Sequence, residues 1–232
     1  MTPDQRAKRE AKKERRAQER LERPAFVASR PEHAERAPAQ GSGSTSSQPP
    51  GSKELSVLDR IQKQNGGHWV GAQRQTEPWA KPRFCYWNVW QMIEREGGEA
   101  VFGWYINERT SEHGRYVVLI NHAVRAANKR LFDITPFHEE PAHHPVVDGR
   151  GSVIFLVDDN AAPIAVGDIA VPQPSRFFAV DESEELDRYL AAKAEQERSE
   201  LATLVDEVRR ASAGGHALPE GAVELSKLMA AR

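Results

Sequence analysis

Cys85, His122 and Asp133 are the residues whose types and settings could do chemistry together. Cys85 is the one cysteine of the chain. It opens the stretch 86–96, where Tyr86, Val89, Trp90 and Ile93 fall at i, i+3, i+4 and i+7, one face of a helix. The first amides of a helix are unpaired and carry a partial positive charge. They favour a thiolate, the nucleophilic form of cysteine. His122 alternates with Val118, Ile120 and Val124 along a strand-like run. An imidazole in an apolar row needs a partner. Asp133 shares a strand face with Leu131 and Thr135 in the next run.

A hairpin would bring these two runs together. A turn through Ala127-Asn128 sets His122 directly opposite Asp133, with Cβ atoms roughly 4.5 to 5.5 Å apart. A two-residue turn at Asn128-Lys129 shifts the register and keeps both on one face. Only an odd loop or a bulge separates them. Asp133 would then hold the imidazole in one tautomer, and His122 would take the proton of Cys85 or pair with its thiolate. Cys85 would attack a carbonyl carbon and form a thioester. The oxyanion would meet the Cys85 amide and one further donor, for which Gln73 and Gln75 are candidates. Asn88, one turn along the helix, is a candidate for orienting substrate or donating to the site.

Several elements must position these groups. Leu55, Val57, Leu58 and Ile61 predict a short helix ending near Asn65-Gly66-Gly67. The stretch 68–83, with Trp69, Pro78, Trp79 and Pro82, reads as an irregular segment packed through its tryptophans. After the Cys85 helix, which Gly97-Gly98 stops, strands are expected over 100–107, 115–126, 129–137 and 152–157. Short connections imply antiparallel pairing. The fold class is therefore α+β, a helix packed on an antiparallel sheet. A charged helix is expected over 183–213, with Leu201, Leu204, Val205 and Val208 on one face, and a short amphipathic segment over 222–229.

The texts FCYWNVWQMIEREGG, INHAVRA and RLFDITPF place a helix-borne cysteine, a strand histidine and an aspartate on the next strand in that order. This order resembles the papain-like and transglutaminase-like superfamily. The His-Ala-Val and Asp-Ile-Thr-Pro steps resemble the HAW and D-x-T steps of transglutaminase-like domains. The cysteine stretch is also similar to that of arylamine N-acetyltransferases. Val124 stands where transglutaminase-like domains usually carry tryptophan, and no Arg-Gly-Gly precedes Cys85. The resemblance implies a papain-like core and a Cys85-His122-Asp133 triad acting on an amide or thioester, with water or an amine as acceptor.

The chain has 232 residues, 39% hydrophobic and 28% charged, which leaves part of it outside any core. The domain reading is a charged arm with a Gly/Ser/Pro linker over 1–54, a compact α+β domain over 55–180, and a charged helical region over 181–232. The linker includes GSGSTSSQPPG, too polar to offset its ordering entropy, so the arm is expected to be disordered. Bases and acids intermix along residues 5–23, so nucleic-acid contact through the arm is not expected. A net charge of −2 argues against a nucleic-acid surface over the whole protein. A lone cysteine forms no internal disulfide, and no apolar run reaches the ~18 to 20 residues of a membrane span. A cytoplasmic protein with no cofactor and no membrane partner is expected. Its substrate would be a protein or a small amide, and the C-terminal helix is a candidate surface for a protein partner.

Two other readings compete. The same fold could serve as a non-catalytic binding module. Alternatively, His138, Glu139, Glu140, His143, His144 and Asp148 crowd one loop and offer ligands for zinc or iron, which would suit a metal-dependent hydrolase. Their spacing matches no established metal motif, so the site is read as metal-free.

Overall fold

A computed structural model of the chain describes residues 52–140, 143–214 and 217–229. The arm and linker expected before residue 52 lie outside them. The fold is α+β, with one large sheet and few helices.

The centre of the fold is a long hairpin. β2 (Glu99–Ser111) and β3 (Gly114–Ala127) are rich in aromatic and β-branched residues and pair along their whole length. β5 (Val153–Val157) pairs with the free edge of β2, and β1 (His68–Arg74) pairs with β5. β4 (Arg130–Asp133) joins β1 in parallel and β3 antiparallel. Among the described residues these five strands therefore close into a ring. The irregular segment expected over 68–83 is thus partly a strand. Its alternation is weak because Gly71 and Ala72 leave little side chain to read.

The turn into β4 differs from the first expectation. Ala127 pairs with Arg130, so the turn is Asn128-Lys129, with φ of 50° and 62°. Two-residue hairpin turns that match strand twist need positive φ at both central positions. Asparagine tolerates this conformation better than alanine does. His122 and Asp133 are consequently diagonal neighbours on one face, not directly opposed.

Helices cover the outer face of the ring. α1 (Ser52–Asn65) contributes Val57 and Ile61, and α2 (Cys85–Glu96) contributes Tyr86, Val89, Met92 and Ile93. They pack on Phe102, Trp104, Leu119 and Leu156. The other face turns inward, where Ala72, Val124, Val153 and Phe155 are fully buried. A ring this small fills with side chains and has no room for a helix.

β8 (Arg176–Ala179) extends the sheet along β3, at Tyr116–Leu119. A second sheet is built from β6 (Ile164–Val166), β7 (Ile169–Val171) and β9 (Val223–Glu224). The segment after residue 181 is thus part of the same compact body. β9 pairs with β7, and Leu228 of the short helix α4 (Leu225–Met229) is buried in the main core. The long helix α3 (Glu184–Gly214) docks at both ends. Leu186 and Leu190 meet Tyr116 and Val118, while Leu201, Leu204, Val205 and Val208 meet Val166, Ile169 and Val171. Its apolar face is therefore used at both ends within the chain. No described helix is long and apolar enough to cross a membrane.

Gly103 shows how tightly the ring is built. A Cβ there would lie 2.1 Å from the Leu156 carbonyl oxygen and 2.6 Å from the Phe155 ring. Gly103→Ala is expected to lower stability by about 2 to 3 kcal/mol in urea unfolding, through overpacking. A loss under about 0.5 kcal/mol would mean that the β2–β5 contact is looser than described.

Candidate active site

Cys85 is placed by the loop ahead of it. Lys81, Pro82, Arg83 and Phe84 form a turn closed by the Phe84 amide on the Lys81 carbonyl, 3.4 Å. Arg83 takes φ 69°, as the third position of a type II turn requires. The Asn88 side chain grips the backbone of Lys81. Its Oδ1 accepts from the Lys81 amide at 2.9 Å, and its Nδ2 donates to the Lys81 carbonyl at 2.7 Å. Nδ2 also reaches Thr135 Oγ1 at 3.3 Å. Asn88 is fully buried and does not line the cavity; it holds the loop ahead of Cys85. From the other side the Phe84 ring lies against Gly221, where a Cβ would come within 1.7 Å of it.

β3 leaves an opening opposite this loop. One of its edges pairs with β4 at Arg125–Ala127 and with β8 at Tyr116–Leu119, so the residues between face no strand there. His122 lies in that interval, on the wall of the cavity that Cys85 also lines, and the Cys85 charge acts on its ring. Its Nε2 is 3.0 Å from Asp133 Oδ1, and both side chains are almost completely buried. Asp133 Oδ1 also accepts the Thr135 amide at 3.0 Å, an Asx turn that fixes the carboxylate. With Nε2 on Asp133, Nδ1 is the nitrogen left for Cys85. Tyr105 meets the His122 ring edge-on, with centroids 4.9 Å apart.

The electrostatics favour a charged imidazole. Burial alone would push the His122 pKa down. The charge of Asp133, then that of Cys85, and hydrogen bonds to both outweigh it and raise the pKa to about 10. Burial also pushes the Tyr86 and Tyr105 phenols up, and the Cys85 charge adds to both. Arg74 borders Asp133 from β1. Its guanidinium stacks 3.4 Å from the Phe137 ring centroid, and its buried Nη1 has no hydrogen-bond partner among the described residues.

Cys85, His122 and Asp133 line one cavity of about 850 Å³. α3 crosses it between its two docked ends, presenting Lys193, Gln196, Glu197 and Glu200. Gln73 and Gln75 do not line it. Gln73 is exposed on β1, and Gln75 gives its backbone amide to the Asp133 carbonyl at 2.9 Å. Neither side chain is brought to the cysteine.

The histidine loop reaches the same cavity. His138, Glu140 and His143 gather with ligand atoms within 4.8 Å of one another. Their hydrogen bonds oppose a metal. His143 Nδ1 accepts from Arg109 at 3.0 Å, and His138 Nδ1 accepts from the Glu140 amide at 3.1 Å. An acceptor at Nδ1 puts the proton of a neutral ring on Nε2, so neither ring offers a free lone pair. The Arg109 charge adds to the opposition.

Arg74 and Tyr105 escaped the sequence reading. Arg74 lay in the segment read as irregular. Tyr105 alternates with Gly103 and Val101 along β2, a pattern that marks its face but not its neighbour. Linkage gives a sign for His122. Its folded pKa stands above the ordinary 6.5, so its contribution is fully present below about pH 6.5 and is lost as pH rises through about 10. The stability difference between wild type and His122→Gln should shrink over that interval in urea unfolding. A flat difference would mean that the buried ring is neutral. Comparison with protein-family models, curated proteins and solved structures finds no match, so the site is read from its own geometry.

Proposed function

We propose that the cavity is the active site of a cysteine-dependent hydrolase or acyltransferase on a papain-like or transglutaminase-like core. Its substrate is an amide or a thioester. The observation that carries the reading is the buried His122–Asp133 pair beside a half-buried Cys85 at the wall of a cavity large enough for a substrate. A lone buried histidine would be satisfied by one carbonyl. Here one ring nitrogen is held by a carboxylate, and the chain's one thiol lies within electrostatic reach of the ring.

The roles follow from the bonds. Asp133 accepts from Nε2–H and fixes the ring. His122, already protonated, pairs with the Cys85 thiolate, and the thiolate sulfur attacks the carbonyl carbon. The oxyanion forms beside the Cys85 amide, at the open N-terminus of α2, where no side chain caps the helix. Collapse breaks the bond to the leaving amine or thiol, which takes the proton from His122. A thioester remains on Cys85. Water or an amine then attacks it, gives its proton to His122, and releases the acyl group. Asn88 and Thr135 tie the nucleophile loop to the strand end that holds Asp133.

Because the chain has one cysteine, alkylation by iodoacetamide reads this site directly. Wild type is expected to react at about pH 6 within roughly threefold of its rate at about pH 8, because an imidazolium partner sustains the thiolate. His122→Ala should lose at least about tenfold at the lower pH, and Asp133→Ala a smaller amount. An inert Cys85, or one that follows a free thiol in all three proteins, would leave the fold as a binding module.

A further inference from the structure

The turn ahead of Cys85 keeps a residue that its backbone disfavours. Arg83 follows Pro82, the usual second residue of a type II turn, and takes the third position with φ 69°. Glycine is favoured there, and asparagine is tolerated. A side chain retained at such a position is expected to have a task. Within the fold, Arg83 has none. It is exposed, and its guanidinium has no hydrogen bond, ion pair or ring contact among the described residues. It nevertheless lines the cavity two residues from the nucleophile, and its charge reaches the Tyr105 phenol, which also feels Cys85.

The other charged groups of the cavity are engaged. Arg109 donates to Asn107 Oδ1 at 2.5 Å and to His143 Nδ1. Glu140 pairs with His143, Glu220 with Lys81, and Glu197 accepts from Ser175 at 2.5 Å. Each of these carboxylates has its own partner, so none is drawn to Arg83.

We propose that Arg83 is the substrate-recognition residue of this site, and that the acyl donor carries a carboxylate close to the bond attacked by Cys85. A guanidinium stays charged at any working pH, and its planar fork matches a carboxylate in two parallel hydrogen bonds. Held on a fixed turn, it meets the anion with little loss of freedom. The proposal rests on the cysteine reading above and names the substrate class for it.

The test needs no known substrate. Iodoacetate and iodoacetamide alkylate the same sulfur and release the same iodide, and they differ in a carboxylate against a neutral amide. The measured quantity is the ratio of their rates at Cys85 at low salt, divided by the same ratio for N-acetylcysteine. Wild type should exceed the free thiol by about tenfold, and added salt should shrink the excess. Arg83→Gln should bring the ratio to within about twofold of the free thiol, and Arg83→Lys should keep most of the excess. Arg83→Gly should also lose it while raising the melting temperature, because it relieves the turn; that separates lost charge from lost fold. A reactive Cys85 with a free-thiol ratio in wild type, or a ratio that Arg83→Gln leaves unchanged, overturns the carboxylate assignment and leaves the cysteine site standing. A Cys85 inert to both reagents overturns both.

Discussion

A fully buried imidazole is stable only when its nitrogens are bonded, and the architecture around His122 meets that need. The ring of strands supplies one partner. β4 ends at Asp133, and its turn with Thr135 aims the carboxylate at Nε2. The other partner must come from outside the ring, because the inward face is filled by Phe155 and Val124. It comes through the interval of β3 that neither β4 nor β8 covers, where the start of α2 delivers Cys85. Closing that edge with a longer strand would exclude the thiol. The shortness of β4 and β8 is therefore a condition of the site.

Polar struts keep the two halves in place. Asn88 ties the nucleophile loop to Thr135, and on the opposite face from His122 the Asn121 side chain does similar work. Asn121 accepts from the Tyr86 hydroxyl and from the Gln173 amide, and donates to the Ala161 carbonyl at 2.9 Å. One residue of β3 thus joins the helix, the turn after β5 and the approach to β8. These amides are almost fully buried with partners for both ends, so each fixes a geometry that apolar packing alone would leave adjustable.

Long, strongly patterned elements were legible in the sequence. The i, i+3, i+4, i+7 face of α2, the β2–β3 hairpin and the span of α3 each follow from side-chain period, which local sequence carries. The shared face of His122 and Asp133 follows from strand parity, and it survives the shifted turn because two-residue loops preserve parity. Other features depend on partners distant in the chain. β1 was hidden by Gly71 and Ala72, and β6, β7 and β9 are too short to show a period. The apolar face of α3 was visible, but periodicity names a face and not what covers it, so its crossing of the cavity could not be read. Gln73 and Gln75 are near Cys85 along the chain, but strand β1 and the residue that follows it carry them elsewhere. The structural role of Asn88 is not legible because the backbone it grips belongs to a loop whose path the sequence does not give.

The charges around His122 also bear on how the site holds together. A buried carboxylate and a buried imidazolium leave a dipole in a poorly solvated wall, and a thiolate on the far side of the ring would add a net negative charge. Arg74 stands beside Asp133 on the adjoining strand, in register with it. Burial lowers the pKa of its guanidinium and the Asp133 charge works against that. Stacking on Phe137 replaces part of its lost hydration with a ring face, which suits a delocalised cation better than an ammonium. Arg74, Asp133 and His122 thus place an anion between two cations along this wall. The buried Nη1, without a partner among the described residues, marks the place where this balance rests on charge and not on a completed hydrogen bond. Lysine at this position would keep the charge but lose the flat stack, and its compact ammonium would need more water than the wall admits. The identity of Arg74 is therefore tied to the ring's interior as much as to Asp133 beside it.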